Sequence, residues 1–194
     1  IARHTETCRL YVIKTYAKSI ISYDTPTLEQ AMKEQMMLRL LTTMDAQFII
    51  KLLWSFQDEE AMHLVMDFCP NRDLKTYIEC HGPLSNSAAL ICAAELVEAL
   101  CNLHASDITH RRVRPEHILL NASGHIVLAG FSNASFSSPN TPPSSTSQQP
   151  GSCSPVNQWD APEVVLGWTQ DCAIDVWSFG LVLWYMLMGT VRDT

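Results

Sequence analysis

The most apolar stretch of the chain, Val176–Met188, follows directly on Asp175. It falls short of the roughly 20 apolar residues that a bilayer span needs. It is therefore read as a buried helix, and a helix that is apolar on all sides belongs inside a domain. The sequence before it has two characters. In residues 1–66, Arg9–Ile13 and Met62–Met66 are β-like, Ile49–Phe56 is a third apolar run, and Glu29–Leu41 has the spacing of an amphipathic helix. Residues 67–73, with Pro70 and Asn71, read as a hinge or turn. Beyond them helices dominate, over Asp73–Cys80, Ser87–His104 and Asp175–Met188. A short hairpin is expected over Ile118–Leu128, turning at Asn121-Ala122-Ser123-Gly124. The expected class is α+β: a small strand-rich lobe over 1–66, a hinge at 67–73 and a helical lobe over 74–194.

One segment breaks this pattern. Asn133–Gln158 is rich in Ser, Pro and Thr and carries no charged residue. Such a composition has little apolar surface to offset the cost of ordering, so 133–160 is expected as a disordered insert. Ser138-Pro139, Thr141-Pro142 and Ser154-Pro155 are proline-directed phosphorylation candidates, though such pairs are also common in plain disordered inserts.

Charge and cysteine usage narrow the function classes. A net charge of −7 argues against nucleic acid as a partner, which would call for a basic stripe. The seven cysteines are scattered, odd in number and without a C-x-x-C pair. That usage suggests reduced thiols in a cytoplasmic or nuclear protein. Cys80-His81 has no second pair at ligand spacing, so no metal site is expected. No membrane partner is expected either.

The motifs that carry chemistry are short and ordered. Tyr11-Val12-Ile13-Lys14 ends a strand-like run, and Glu34 lies inside the first helical segment. His63-Leu64-Val65-Met66-Asp67-Phe68 runs into the hinge. His110-Arg111-Arg112-Val113-Arg114-Pro115-Glu116-His117 follows the long helix, then come Gly130-Phe131-Ser132, Ala161-Pro162-Glu163 and Asp175-Val176-Trp177.

In order and spacing these motifs resemble those of eukaryotic-type protein kinases, most closely the AGC serine/threonine group, over nearly the whole chain. The resemblance implies the two-lobe kinase fold. It also implies that Lys14 pairs with Glu34 and faces the nucleotide phosphates, as the V-A-I-K lysine does. Met66 falls at the gatekeeper place, and Asp67 and Cys69 fall in the hinge. Val12, Leu74 and Leu119 fall where an adenine ring would be sandwiched, and His110, Phe131, Leu38 and Leu52 at regulatory-spine places. Each of these apolar residues could equally be core. Asp175 would anchor the catalytic loop. The resemblance places Ile1 near the family's second strand and Thr194 just after the helix that begins near Asp175. The Gly-rich loop and the final helices of the larger lobe are thus expected to lie outside this chain.

The same resemblance identifies what is missing. The family's loop is H-R-D-L-x-x-x-N, whose Asp accepts the substrate proton and whose Asn holds Mg²⁺. Here Arg112 stands for the Asp, Arg114 for the loop Lys and His117 for the Asn. Gly130 replaces the Asp of D-F-G. The expectation is a pseudokinase, with no catalytic residue intact and no metal, able to hold ATP without Mg²⁺ and acting through protein partners such as an active kinase or its substrate. A divergent serine/threonine kinase and a non-functional relic are the alternatives. A further expectation is that Arg111, Arg112 and Arg114 collect a phosphate on Ser138, Thr141 or Ser154.

Overall fold

The computed structural model describes residues 1–18, 25–136, 157–168 and 170–190, with the backbone alone at 25–28. The proline-directed sites at Ser138, Thr141 and Ser154 lie outside the described residues.

The first lobe is a four-stranded antiparallel sheet in the order β1-β2-β4-β3, formed by Ala2–Arg3 (β1), Leu10–Ala17 (β2), Leu52–Gln57 (β3) and Ala61–Asp67 (β4). Alternation along β2 sends Val12, Lys14 and Tyr16 to one face. Helix α1 (Thr25–Thr43) covers that face. Its Ala31, Met37, Leu38 and Leu41 are buried, at the i, i+3/i+4 spacing that brings side chains onto one face.

The second lobe holds α2 (Leu74–His81), α3 (Asn86–Ala105), α4 (Pro162–Val165) and α5 (Ala173–Met188). Asp73 caps α2 by accepting the Thr76 amide at 2.8 Å, and Ser85 caps α3 through the Ala88 amide. Such caps satisfy amides that a helix start leaves without partners. By length and composition α3 could cross a membrane, yet its Leu96, Leu100 and Leu103 are in the core. The expected hairpin is present as β6 (Ile118–Leu120) and β7 (Ile126–Leu128).

The lobes join along more than the hinge. Leu128 bridges Ile49, and Leu119 bridges Asp73, so the hairpin is hydrogen-bonded to both sides of the junction. A continuous core runs from Leu38, Leu52 and Leu64 through Leu74, Leu128 and Phe131 to Val182 and Met186. The two-lobe α+β architecture is as the motifs imply.

The limits of the disordered insert need correction. Ser135–Phe136 forms a strand, β8, paired antiparallel with β5 (Ile108–Thr109). At the other end Trp159 is buried, edge-on to Tyr185 at 5.7 Å, and its carbonyl accepts the Ser178 hydroxyl at 3.1 Å. Both ends of 133–160 are thus built into the fold by long-range contacts that composition cannot reveal.

Candidate active site

β2, α1, β4, the hairpin and the Gly130 turn line an open cleft of about 200 Å³ between the lobes. Val12, Lys14, Glu34, Met66, Asp67 and Leu119 line it, together with Ile50, Ala129 and Gly130. Cys69 and Leu74 are not in the lining. Cys69 is half-buried in the hinge, where burial and then the Asp67 charge push its thiol pKa up. Leu74 is fully buried in the core. Ile50 and Ala129 carry no motif. Their place follows from the hydrogen bond of the Ile50 amide to the Leu128 carbonyl, which sequence spacing does not encode.

At one end of the cavity the Lys14 ammonium donates to both oxygens of Glu34, each at 2.8 Å. Glu34 is only 2% exposed, so its charge depends on this partner. The Tyr16 hydroxyl also donates to Glu34 Oε2. At the other end Arg9, exposed, pairs with Asp67 at 2.8 Å.

Beneath the cavity the loop after β5 is hung from α5. Asp175, fully buried, accepts the backbone N–H of His110 at 2.8 Å, that of Arg111 at 2.7 Å and His104 Nε2–H at 2.9 Å. His110 Nε2 donates to the Ala129 carbonyl at 2.9 Å, and its ring meets Phe131 edge-on at 4.9 Å. That carbonyl contact fixes the tautomer, leaving Nδ1 to accept the Arg112 amide at 3.2 Å. Burial lowers the His110 pKa to about 4, so the ring is neutral. His110 and Phe131 are thus in contact, and Leu38 and Leu52 are buried in the same core.

The positions that carry metal in the family are altered together. Gly130 has φ +84°, and a Cβ built there would lie 2.6 Å from His117 Cγ and 2.8 Å from its Cδ2 and Nδ1. The imidazole of His117 therefore occupies the space a side chain at 130 would need. Its Nδ1–H donates to the Arg112 carbonyl at 2.7 Å, and burial lowers its pKa, helped by the Arg112 and Arg114 charges. Mg²⁺ requires hard oxygen donors, and a glycine and an imidazole supply none. This donor set does not fit the metal. Among the described residues no three His, Cys, Asp or Glu side chains converge into a cation site.

The three arginines point to different partners. Arg111 reaches Ser135 Oγ at 3.3 Å and Gln170. Arg112 reaches Asn133 Oδ1 at 3.5 Å. Arg114 pairs with Asp160 at 3.2 Å, which in turn accepts the Asn157 amide at 3.0 Å. The substitute for the loop lysine is therefore engaged in holding the segment before Ala161-Pro162-Glu163.

The geometry agrees with the sequence comparisons. A family profile described as "Protein kinase domain" matches residues 1–192. The serine/threonine-protein kinase AtPK1/AtPK6 of Arabidopsis thaliana is 33% identical over 189 residues, 96% of this chain and 38% of that protein. The serine/threonine-protein kinase YPK1 of Saccharomyces cerevisiae is 32% identical over 190 residues, 96% of this chain and 26% of that protein. The human 3-phosphoinositide-dependent protein kinase 1 is 29% identical over 189 residues, 97% of this chain and 33% of that protein. The chain thus spans well under half the length of each of these relatives. With the motifs in order, the two lobes in place and the Lys14–Glu34 pair closed over the cleft, this chain belongs to the protein kinase domain family.

Proposed function

We propose that this kinase domain works without phosphoryl transfer, as a conformational and scaffolding module that takes ATP in its cleft without Mg²⁺. The observation that carries this reading is the seat of His117 on the face of Gly130. Phosphoryl transfer rests on positioning and on cations that meet the developing charge. Both metal positions lack an oxygen donor, and Arg112, cationic at any working pH, cannot accept a proton. Loss of a general base alone costs about 10²–10⁴ in rate. The adenine side of the cleft keeps its apolar walls in Val12, Met66 and Leu119, with Lys14 as the phosphate-facing cation. Its partners are then other proteins, such as an active kinase or its substrate, in the cytoplasm or nucleus.

Thermal unfolding of the full-length protein with ATP, in EDTA and in Mg²⁺, tests the reading. At a hundred times its Kd a ligand adds about 2.7 kcal/mol of stability. A rise in Tm that persists in EDTA is expected. A rise that requires Mg²⁺ would overturn the reading.

The closed Lys14–Glu34 pair favours a second reading, a divergent serine/threonine kinase, because that pair must be in place for transfer. Transfer of phosphate to protein, abolished by Lys14→Ala, would establish it.

A further inference from the structure

We propose that Tyr16 is a positioning residue that completes the Lys14–Glu34 pair and holds α1 against the sheet without any nucleotide. Tyr16 lies on β2 two positions after Lys14, so strand alternation brings both side chains to the face that α1 covers. Its hydroxyl donates to Glu34 Oε2, while Lys14 Nζ sits 5.0 Å from the centre of its ring. A cation within about 6 Å of an aromatic face is attracted to it. The three groups form a closed set: carboxylate to ammonium, carboxylate to phenol, ammonium to ring.

The two donors to Glu34 differ in what can remove them. Lys14 is partly exposed and lines the cavity, so a phosphate in the cleft competes with Glu34 for it. The Tyr16 hydroxyl donates into the nearly inaccessible Glu34 carboxylate and is not in the cavity lining. Burial, reinforced by the Glu34 carboxylate, pushes its pKa upward, which favours the protonated, donating hydroxyl. When Lys14 turns toward a ligand, Tyr16 still holds Glu34.

Glu34 is also the middle fastening of α1. Toward the helix start Gln30 Nε2 donates to the Ser132 carbonyl at 2.6 Å. Gln35 Nε2 donates to Ser55 Oγ at 2.8 Å, and near the end Thr42 Oγ1 accepts the Leu52 amide at 2.8 Å. Of these, only the Glu34 contacts involve a buried charge, where a bond is strongest and its loss most costly. The inward position of α1 is thereby built into the apo chain instead of waiting on a ligand. This rests on the geometry of the pair and holds whether or not the domain transfers phosphate.

Amide hydrogen exchange on the full-length, nucleotide-free protein tests it. Tyr16→Phe keeps the ring and removes only the hydroxyl. Amides of α1 around Glu34 are expected to exchange about 10- to 100-fold faster, as the loss of a hydrogen bond to a charged group implies. Amides of α3 should be unchanged, which separates release of α1 from general loosening. ATP should leave α1 protection unchanged in the wild type and lower it further in Tyr16→Phe, where Lys14 is the one remaining donor of the two. If α1 exchanges within twofold of wild type in Tyr16→Phe while Lys14→Ala frees it, the proposal is overturned. Should Tyr16→Phe fail to fold, proton NMR of the wild type decides. A slowly exchanging phenolic proton with a cross-peak to the Glu34 side chain supports the proposal, and a freely exchanging one sinks it.

Discussion

At Gly130 the backbone is left-handed and the facing space is filled by a ring, so the two substituted metal positions are one steric unit. Gly130→Asp alone places a Cβ against His117 Cγ, and is expected to destabilise the protein by about 1–3 kcal/mol from overpacking and backbone strain. His117→Asn removes the obstruction. In urea unfolding the double variant should be less destabilised than the sum of the singles, with a coupling of about 0.5–3 kcal/mol. Strict additivity would mean that the ring moves aside freely. His110 gives a second prediction at this scale. Its folded pKa, about 4, lies below the usual value of 6.5 for a free imidazole. Between those values the unfolded chain binds a proton that the folded chain refuses, so stability is full above about pH 6.5 and falls as pH drops toward 4. The loss is on the order of 3 kcal/mol. Urea unfolding between pH 4 and 7 reads it, and His110→Gln, which keeps a donor for the Ala129 carbonyl, should flatten this part of the profile.

Among the elements, the loop from His110 to His117 has little regular structure of its own, and Asp175 on α5 gives it shape. Asp175→Ala leaves the amides of His110 and Arg111 without their acceptor. Breaking such a buried charged network costs about 3–5 kcal/mol. Fast amide exchange at His110 and Arg111, with α3 still protected, is the expected signature. Asp175 was legible through the resemblance of Asp175-Val176-Trp177 to the family's motif, and the long helices were legible for a different reason. Their apolar runs are local signals, readable within a few residues, whereas the caps at Asp73 and Ser85 came only with the structure. Lys14 and Glu34 were legible through motif order. What stayed hidden was set by distant contacts. β8 lies in a Ser- and Pro-rich stretch and is ordered by pairing with β5 and by Arg111 on Ser135. Tyr16 belongs to no motif, and only strand alternation beside Lys14 could have pointed to it.

For the whole molecule, the distribution of charge decides which part of a nucleotide the cleft can reward. The lining includes one cation, Lys14, against two carboxylates, Glu34 and Asp67, and Lys14 is already doubly bonded to Glu34. The chain as a whole carries a net charge of −7, which repels a polyanion at long range. The apolar walls come from both lobes, so a planar base bound between Val12, Met66 and Leu119 bridges them and should stabilise the molecule as one unit. Adenosine should therefore bind within about tenfold of ATP in EDTA, a difference of no more than about 1.4 kcal/mol from the phosphates. Isothermal titration of the full-length protein measures both constants. Added Mg²⁺ should change neither, and Lys14→Ala should weaken ATP while sparing adenosine. ATP binding more than a hundredfold tighter than adenosine would place the recognition on the phosphates, and the cleft would then have to draw on cations beyond Lys14.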